Sequence, residues 1–152
     1  MATLFIPVGI PGCGKSTFAE SLDTTIPVST DAIREALGDV NDQSKNNEVF
    51  AIFHNMIGIF LKDGISVYAD ATNLDSESRG RLRGIAQEAG AKTHVLLFRN
   101  LEQAIRRNAE RDRVVPADVM MRMIEKYERS VNALDHHGAT LFDHITEVGS
   151  VR

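Results

Sequence analysis

Thr3-Leu4-Phe5-Ile6-Pro7-Val8-Gly9-Ile10-Pro11-Gly12-Cys13-Gly14-Lys15-Ser16-Thr17 is the stretch that decides the fold. Thr3 to Val8 is a short apolar run ending at a glycine, the mark of a buried strand that feeds a tight turn. Gly9 to Ser16 then fits G-x-x-x-x-G-K-[S/T] at every fixed position, the pattern of a phosphate-binding loop. Glycines let the backbone wrap a β-phosphate with N–H groups pointing inward, and the helix that follows adds its positive end. Lys15 is suited to neutralise the β- and γ-phosphates, and the Ser16 hydroxyl to ligate Mg²⁺. Average residue frequencies would produce the four fixed positions in about one in two hundred chains of this length. Gly9, Gly12, Cys13, Gly14, Lys15, Ser16 and Thr17 are therefore the expected nucleotide-binding set, with ATP or another nucleoside triphosphate as phosphoryl donor.

Outward from this loop, short apolar runs alternate with helical patterns. Lys15 to Leu22 reads as a helix with Phe18, Ala19 and Leu22 on one face. Strands are expected at Ile26 to Ser29, Ile65 to Ala69, Thr93 to Phe98 and Phe142 to Val148. Helices are expected over Asp31 to Leu37, Lys45 to Lys62, Asp75 to Ala89 and Leu101 to Asp112. Gly38, Gly64 and Gly90 stand where C-terminal caps belong. Pro116 opens a further helix carrying Val119, Met120, Met123, Ile124 and Tyr127, while Ala133 to Gly138 carries no clear signal. Such a pattern implies an α/β architecture, a P-loop NTPase fold with a parallel five-stranded sheet between helices. A helical lid is expected at about residues 105–118. One domain covers residues 1–152, since no repeat or linker-like tract interrupts the chain. In sheets of this kind ligands bind beyond the C-terminal ends of the strands.

At 152 residues, 43% hydrophobic and 25% charged, the chain is an ordinary globular domain. No apolar run approaches the ~20 residues that cross a bilayer, and no basic region precedes the apolar N-terminus as a signal peptide requires. Cys13 is the single cysteine, so neither an intrachain disulfide nor a CxxC zinc site is available. A cytoplasmic location follows as the expectation. The net charge of −4 argues against a dedicated nucleic-acid binder, but its distribution is uneven. Residues 1–78 carry 4 Lys/Arg against 11 Asp/Glu, and residues 79–113 carry 9 against 4. Eight of those nine are arginine, the side chain suited to bidentate phosphate contact; a solvated helix face explains them equally well.

Three clusters follow strands and are candidates for handling the acceptor. Asp31 and Arg34 lie one helical turn apart on the same side. A kinase needs a carboxylate to orient the acceptor hydroxyl and take its proton, and a cation to hold the rest of the acceptor; a helix N-cap beside a solvated arginine fits the same spacing. Asp70-Ala71-Thr72-Asn73 sits where Asp70 would hold Mg²⁺ through water, with Thr72 and Asn73 hydrogen-bonding the acceptor. The alternative for Asn73 is a turn that starts the next helix. Arg107 and Arg111 are spaced i,i+4 near a helix end, placed to close over the phosphates and hold charge on the transferring group. Arg106 and Arg113 read as facing water. His136 and His137 are adjacent, cannot share a helix face for a metal, and read as surface residues.

GIPGCGKST (9–17), TDxxR (30–34), DATNL (70–74) and RRNAER…VVPADV (106–119) agree in order and spacing with one family. From about Leu4 to Arg129 the chain resembles the kinase domain of phage and bacterial 5′-hydroxyl polynucleotide kinases. The resemblance implies transfer of the ATP γ-phosphoryl group to the 5′-hydroxyl of DNA or RNA, as in nucleic-acid repair. It implies catalytic roles for Lys15, Asp31 and Arg111, with Asp31 as general base. By the same likeness Arg34 grips the acceptor's phosphate, Thr72 lies near the acceptor, and Arg107 and Arg111 touch the donor. The 3′-phosphatase domain that such phage enzymes often carry has no room here, and the stretch from Arg111 to Pro116 is one residue shorter than the family pattern. Two rival expectations stand beside this one: a small-molecule or nucleoside kinase on the same scaffold, and a non-catalytic nucleotide-binding regulator. No obligatory protein partner is implied, and the oligomeric state is left open.

Overall fold

The computed structural model describes residues 1–38, 43–99, 101–110 and 114–148. The strands are β1 (Thr3–Val8), β2 (Thr25–Ser29), β3 (Ser66–Asp70), β4 (Lys92–Phe98) and β5 (His144–Val148). They form one parallel sheet in the order β2-β3-β1-β4-β5. The helices are α1 (Lys15–Ala19), α2 (Thr30–Leu37), α3 (Asn46–Lys62), α4 (Ser76–Ala89), α5 (Leu101–Glu110) and α6 (Ala117–Leu141), with a 3₁₀ turn at Gln43–Lys45.

Parallel neighbours need crossovers, and these are almost always right-handed. The chain moves one way along the sheet from β1 to β2 and the other way from β2 to β3 and from β3 to β4. That reversal puts α1 on one face and α3 with α4 on the other. Contacts agree: α3 packs on β2, β3 and α4, and α4 on β1 and β4. On the opposite face Phe18 of α1 meets Tyr68 and Phe98, with ring centroids 6.5 and 5.7 Å apart. Leu4, Ile6, Val8, Val67, Ala69 and Val95 of the central strands are fully buried. Each fully buried Val, Leu or Ile contributes roughly 1.5–3 kcal/mol, so this sheet is the rigid base on which the loops stand.

The expected elements appear with small shifts, and two differ in length. α1 stops at Ala19 rather than Leu22, because the Ser21 N–H and hydroxyl both donate to the Phe18 carbonyl, at 2.9 and 2.7 Å. Such local bonding tightens the last turn and ends the helix. α6 runs on through Ala133–Gly138 to Leu141. Its glycine is buried, and a Cβ there would meet the end of the flexible Ile145 side chain of β5, which would have to turn aside. Gly138 thus sits at a close helix–strand approach, which local propensity does not reveal. α6 is also fastened to the sheet's C-terminal edge. Tyr127 donates to the Phe98 carbonyl at 2.7 Å, and Ser130 to the Leu74 carbonyl at 2.5 Å. No helix among the described residues is long and apolar enough to cross a membrane.

Candidate active site at the C-terminal edge of the sheet

The loop between β1 and α1 is built around its lysine. Lys15 is 8% exposed, and its ammonium donates to the carbonyls of Gly9 and Ile10 at 2.9 and 3.0 Å. The charge therefore lies within the curl of the loop. Gly12 and Gly14 have φ of 90° and 96°, a conformation that costs other residues roughly 1–2 kcal/mol. The Cys13 Sγ is 3.6 Å from the Lys15 ammonium. Burial raises the Cys13 pKa, with the Lys15 charge pulling the other way, which keeps the thiol protonated and inert. Tyr68 of β3 donates to the Lys15 carbonyl at 2.6 Å, and the Gly9 N–H reaches the Thr72 carbonyl at 3.2 Å. The loop is thereby seated on the strand beside it.

A hydroxyl–carboxylate pair stands at its mouth. Ser16 donates to Asp70 Oδ2 at 3.0 Å. Burial raises the Asp70 pKa; the Ser16 hydrogen bond and Lys15 lower it, and the Asp31 charge raises it again. Among the described residues no three His, Cys, Asp or Glu side chains cluster as a protein-made metal cage. One hydroxyl and one partly buried carboxylate suit Mg²⁺, which keeps waters and phosphate oxygens in most of its shell. Ser16 and Asp70 would hold it, and bound there it would offset the burial of the carboxylate.

The acceptor candidates converge on the same edge. β2 and β3 are in register with Ser29 opposite Asp70, so Asp31 lies in the first turn of α2 near the end of β3, and Asp70 senses both Lys15 and Asp31. The helix cap comes from Ser29, whose hydroxyl accepts from the Ala32 N–H at 3.2 Å; Asp31 is therefore not the N-cap. Arg34 donates to Asp31 Oδ1 at 3.3 Å and to Asn46 Oδ1 of α3 at 2.7 Å. Its side chain is 10% exposed against 53% for Asp31. A solvated arginine does not fit that burial.

Asn73 has another employment. It is buried with φ of 53°, and its amide nitrogen donates to the carbonyls of Pro7, Ala69 and Ala71 at 2.8, 3.1 and 3.2 Å. It ties the end of β1 to the end of β3, so its amide nitrogen is spent on the fold, while the N-cap of α4 falls at Asp75. Arg107 is exposed, yet the position of a Cβ on Gly14 lies 3.6 Å from its Nη1, so it overhangs the loop. Arg111 and Arg113 lie outside the described residues, whereas Arg106, His136 and His137 are exposed.

A family profile described as an AAA domain matches residues 4–130. The chain belongs to this AAA domain family. At 30% identity it is similar to an L-seryl-tRNA(Sec) kinase of Methanococcus maripaludis, over 82% of this chain and 52% of that protein. A chain from the structure of the Pnkp1/Rnl/Hen1 RNA repair complex is similar with a TM-score of 0.77 and 22% identity, over 86% of this chain and 45% of the other. A gluconokinase from Sinorhizobium meliloti 1021 has a TM-score of 0.59 and 17% identity, over 99% and 83%. The chain thus spans about half the length of the first two. At such identities the solved structures establish the fold, that of the P-loop kinases.

Within this AAA domain, two parts of the site have no motif to announce them. α5 lies directly on the phosphate loop: a Cβ on Gly12 would sit 2.6 Å from the Ala104 carbonyl oxygen. Gly12 therefore serves helix packing as well as loop geometry. Asn108, buried on α5, exchanges two hydrogen bonds of 3.1 Å with the Val115 backbone. That ring holds together the two arms flanking the tip of the expected lid. Asparagine next to Arg107 in the RRNAER run was the available signal, and it is weak without knowing where Val115 lies.

Proposed function

We propose that this chain is an ATP- and Mg²⁺-dependent polynucleotide 5′-hydroxyl kinase, acting on the 5′-OH end of DNA or RNA. The observation that carries it is the Asp31–Arg34 pair beside Ser16 and Asp70, a carboxylate and a guanidinium next to the phosphate loop. Asp31 is exposed enough to meet a hydroxyl and close enough to the loop to orient it toward the terminal phosphate. It accepts the hydroxyl proton while the oxygen attacks the γ-phosphorus in line, and the β-phosphate oxygen leaves. Lys15 and Arg107, with Arg111, hold charge on the transferring group; positioning and electrostatics carry most of such a reaction. Ser16 and Asp70 would hold Mg²⁺, which would supply neutralisation of the phosphate charge. Thr72, whose carbonyl anchors Gly9, is assigned in this reading to the acceptor through its side chain. The names of a tRNA kinase and an RNA repair complex among the similar proteins support a nucleic-acid acceptor.

The second reading is a small-molecule kinase, supported by the likeness to a gluconokinase over nearly the whole of both chains. A sugar offers Arg34 no phosphate, so one assay separates the two. The protein is incubated with γ-labelled ATP, Mg²⁺ and a 5′-OH oligonucleotide, in parallel with nucleosides and sugars. Label on the oligonucleotide alone supports the proposal; label on a sugar or nucleoside alone refutes it, and ATP binding without transfer to anything leaves a non-catalytic regulator. Asp31→Ala should keep ATP binding and lose about 10²–10⁴-fold in turnover. Arg34→Ala should raise KM for the oligonucleotide far more than KM for ATP.

A further inference from the structure

The two donors of the candidate Mg²⁺ site stand on different elements, Ser16 on α1 and Asp70 at the end of β3. Their separation is therefore set by how α1 lies on β3. The helix has little of its own to place it: it is five residues long, its N-cap is Gly14, and no side chain caps it. Isolated helices below about 12–15 residues are marginal at best, so tertiary contacts must hold this one.

Those contacts are of two kinds. Phe18 packs against the rings of Tyr68 and Phe98, an apolar attraction that does little to fix direction. Two side-chain hydrogen bonds join α1 to β3 among the described residues: Ser16 to Asp70 at 3.0 Å, and Tyr68 to the Lys15 carbonyl at 2.6 Å. The first is made by the very groups a cation would claim. Only the second is independent of what the site holds. Tyr68 and Asp70 are two residues apart on β3 and share its face toward α1, while Lys15 and Ser16 are consecutive. The Tyr68 bond thus lies one step behind the Ser16–Asp70 pair. Tyr68 is fully buried, and a phenylalanine would fill the same space. A buried hydroxyl is costly without a partner, and this one is spent on the first residue of α1.

We infer that Tyr68 is a positioning residue for the metal: its hydroxyl holds the first turn of α1 at the spacing at which Ser16 and Asp70 can share one Mg²⁺. The inference rests on the Mg²⁺-dependent kinase reading and does not depend on the acceptor. Spacing matters for this ion in particular, because Mg²⁺ demands near-octahedral geometry at about 2.0–2.1 Å, whereas Ca²⁺ tolerates irregular shells at about 2.3–2.6 Å.

Tyr68→Phe deletes one oxygen and keeps the ring. The probe is an ATP analogue with an imido bridge between the β- and γ-phosphorus, which cannot pass on its γ-phosphoryl group. It is titrated onto the full chain without metal, with Mg²⁺ and with Ca²⁺, and the ratio of Kd without a cation to Kd with it measures that cation's help. In the wild type Mg²⁺ should tighten binding by more than about tenfold. Tyr68→Phe should cut the Mg²⁺ factor about tenfold, cut the Ca²⁺ factor less, and hold the metal-free Kd within about twofold. Phe18→Leu loosens the packing of α1 and leaves the hydroxyl; it should lower the melting temperature and keep the Mg²⁺ factor. A merely structural Tyr68 would weaken the analogue equally with and without metal. That result overturns the assignment, as does an equal loss for Mg²⁺ and Ca²⁺, or a Phe18→Leu variant that loses as much of the Mg²⁺ factor as Tyr68→Phe. A wild type whose affinity ignores Mg²⁺ overturns the Mg²⁺ reading itself and this inference with it, whereas a wild type and a Tyr68→Phe variant that respond alike remove the role of Tyr68 alone.

Discussion

In the proposed role Asp70 would serve two ends that conflict. Its carboxylate would have to be ionised to help hold Mg²⁺, yet burial raises its pKa and Asp31 pushes it further the same way. Without a cation, ionised Asp70 is a strain on the fold. Asp70→Asn keeps an oxygen for the Ser16 hydroxyl and removes the charge, so metal-free protein should melt at a higher temperature than wild type near neutral pH. The same variant should need about 10- to 100-fold more Mg²⁺ for half-maximal turnover. A lower melting temperature, or an unchanged Mg²⁺ requirement, would count against the pair. Lys15 and Ser16 are readable from sequence because loop, strand and helix are contiguous, and Asp31–Arg34 because one helical turn relates them. Asn73 is not, for its fate depends on the carbonyl of Pro7, a strand away in space and 66 residues away in sequence. Arg34 is half readable: spacing finds Asp31 but not Asn46 across the 3₁₀ turn.

At the level of elements, the β4–β5 edge carries a sensitivity to acid. His94 lies beside Phe5 and opposite His144, and its ring shares a 2.7 Å hydrogen bond with Thr146. Burial lowers its pKa from 6.5, and the neighbouring His144 lowers it further. The unfolded chain takes up that proton near the ordinary value while the folded chain resists it. The stability tied to neutral His94 is therefore fully present above about 6.5 and lost as pH falls through the lowered folded value. Urea titrations at about pH 7.5 and about pH 5.5 should show a smaller acid loss in His94→Gln than in wild type; equal losses would remove His94 as the cause. Strand and helix identities were legible from apolar periodicity and glycine stops. Lengths were not, because α1 ends on the Ser21 contacts with Phe18 and α6 continues past Gly138, where it packs closely on Ile145 of β5.

For the whole molecule, the acidic N-terminal half argues against a long grip on a polyanion. Residues 1–78, with 11 acidic against 4 basic residues, contribute the phosphate loop and the Asp31–Arg34 pair proposed for the acceptor. The arginine-rich stretch contributes Arg107 over that loop instead. We expect KM for the acceptor to change less than about threefold between a trinucleotide and a 20-mer, with log KM rising against log salt at a slope of about 0.7–1.4, one or two phosphates' worth. A steeper slope, or affinity growing with length, would reveal a longer track. Topology was readable from the alternation of strands and helices, whereas the overlap of α5 with the loop needed the assembled molecule.

The bonds of Tyr127 to Phe98 and of Ser130 to Leu74 bear on how such a site opens. They make this long helix a cantilever, clamped at its middle to the end of β4 and to the loop that follows β3. Arg79 adds a rivet, donating to both Ser130 and the Asn73 carbonyl. If the proposed lid bends, these bonds favour a hinge ahead of Tyr127, with the strand ends beneath held in place.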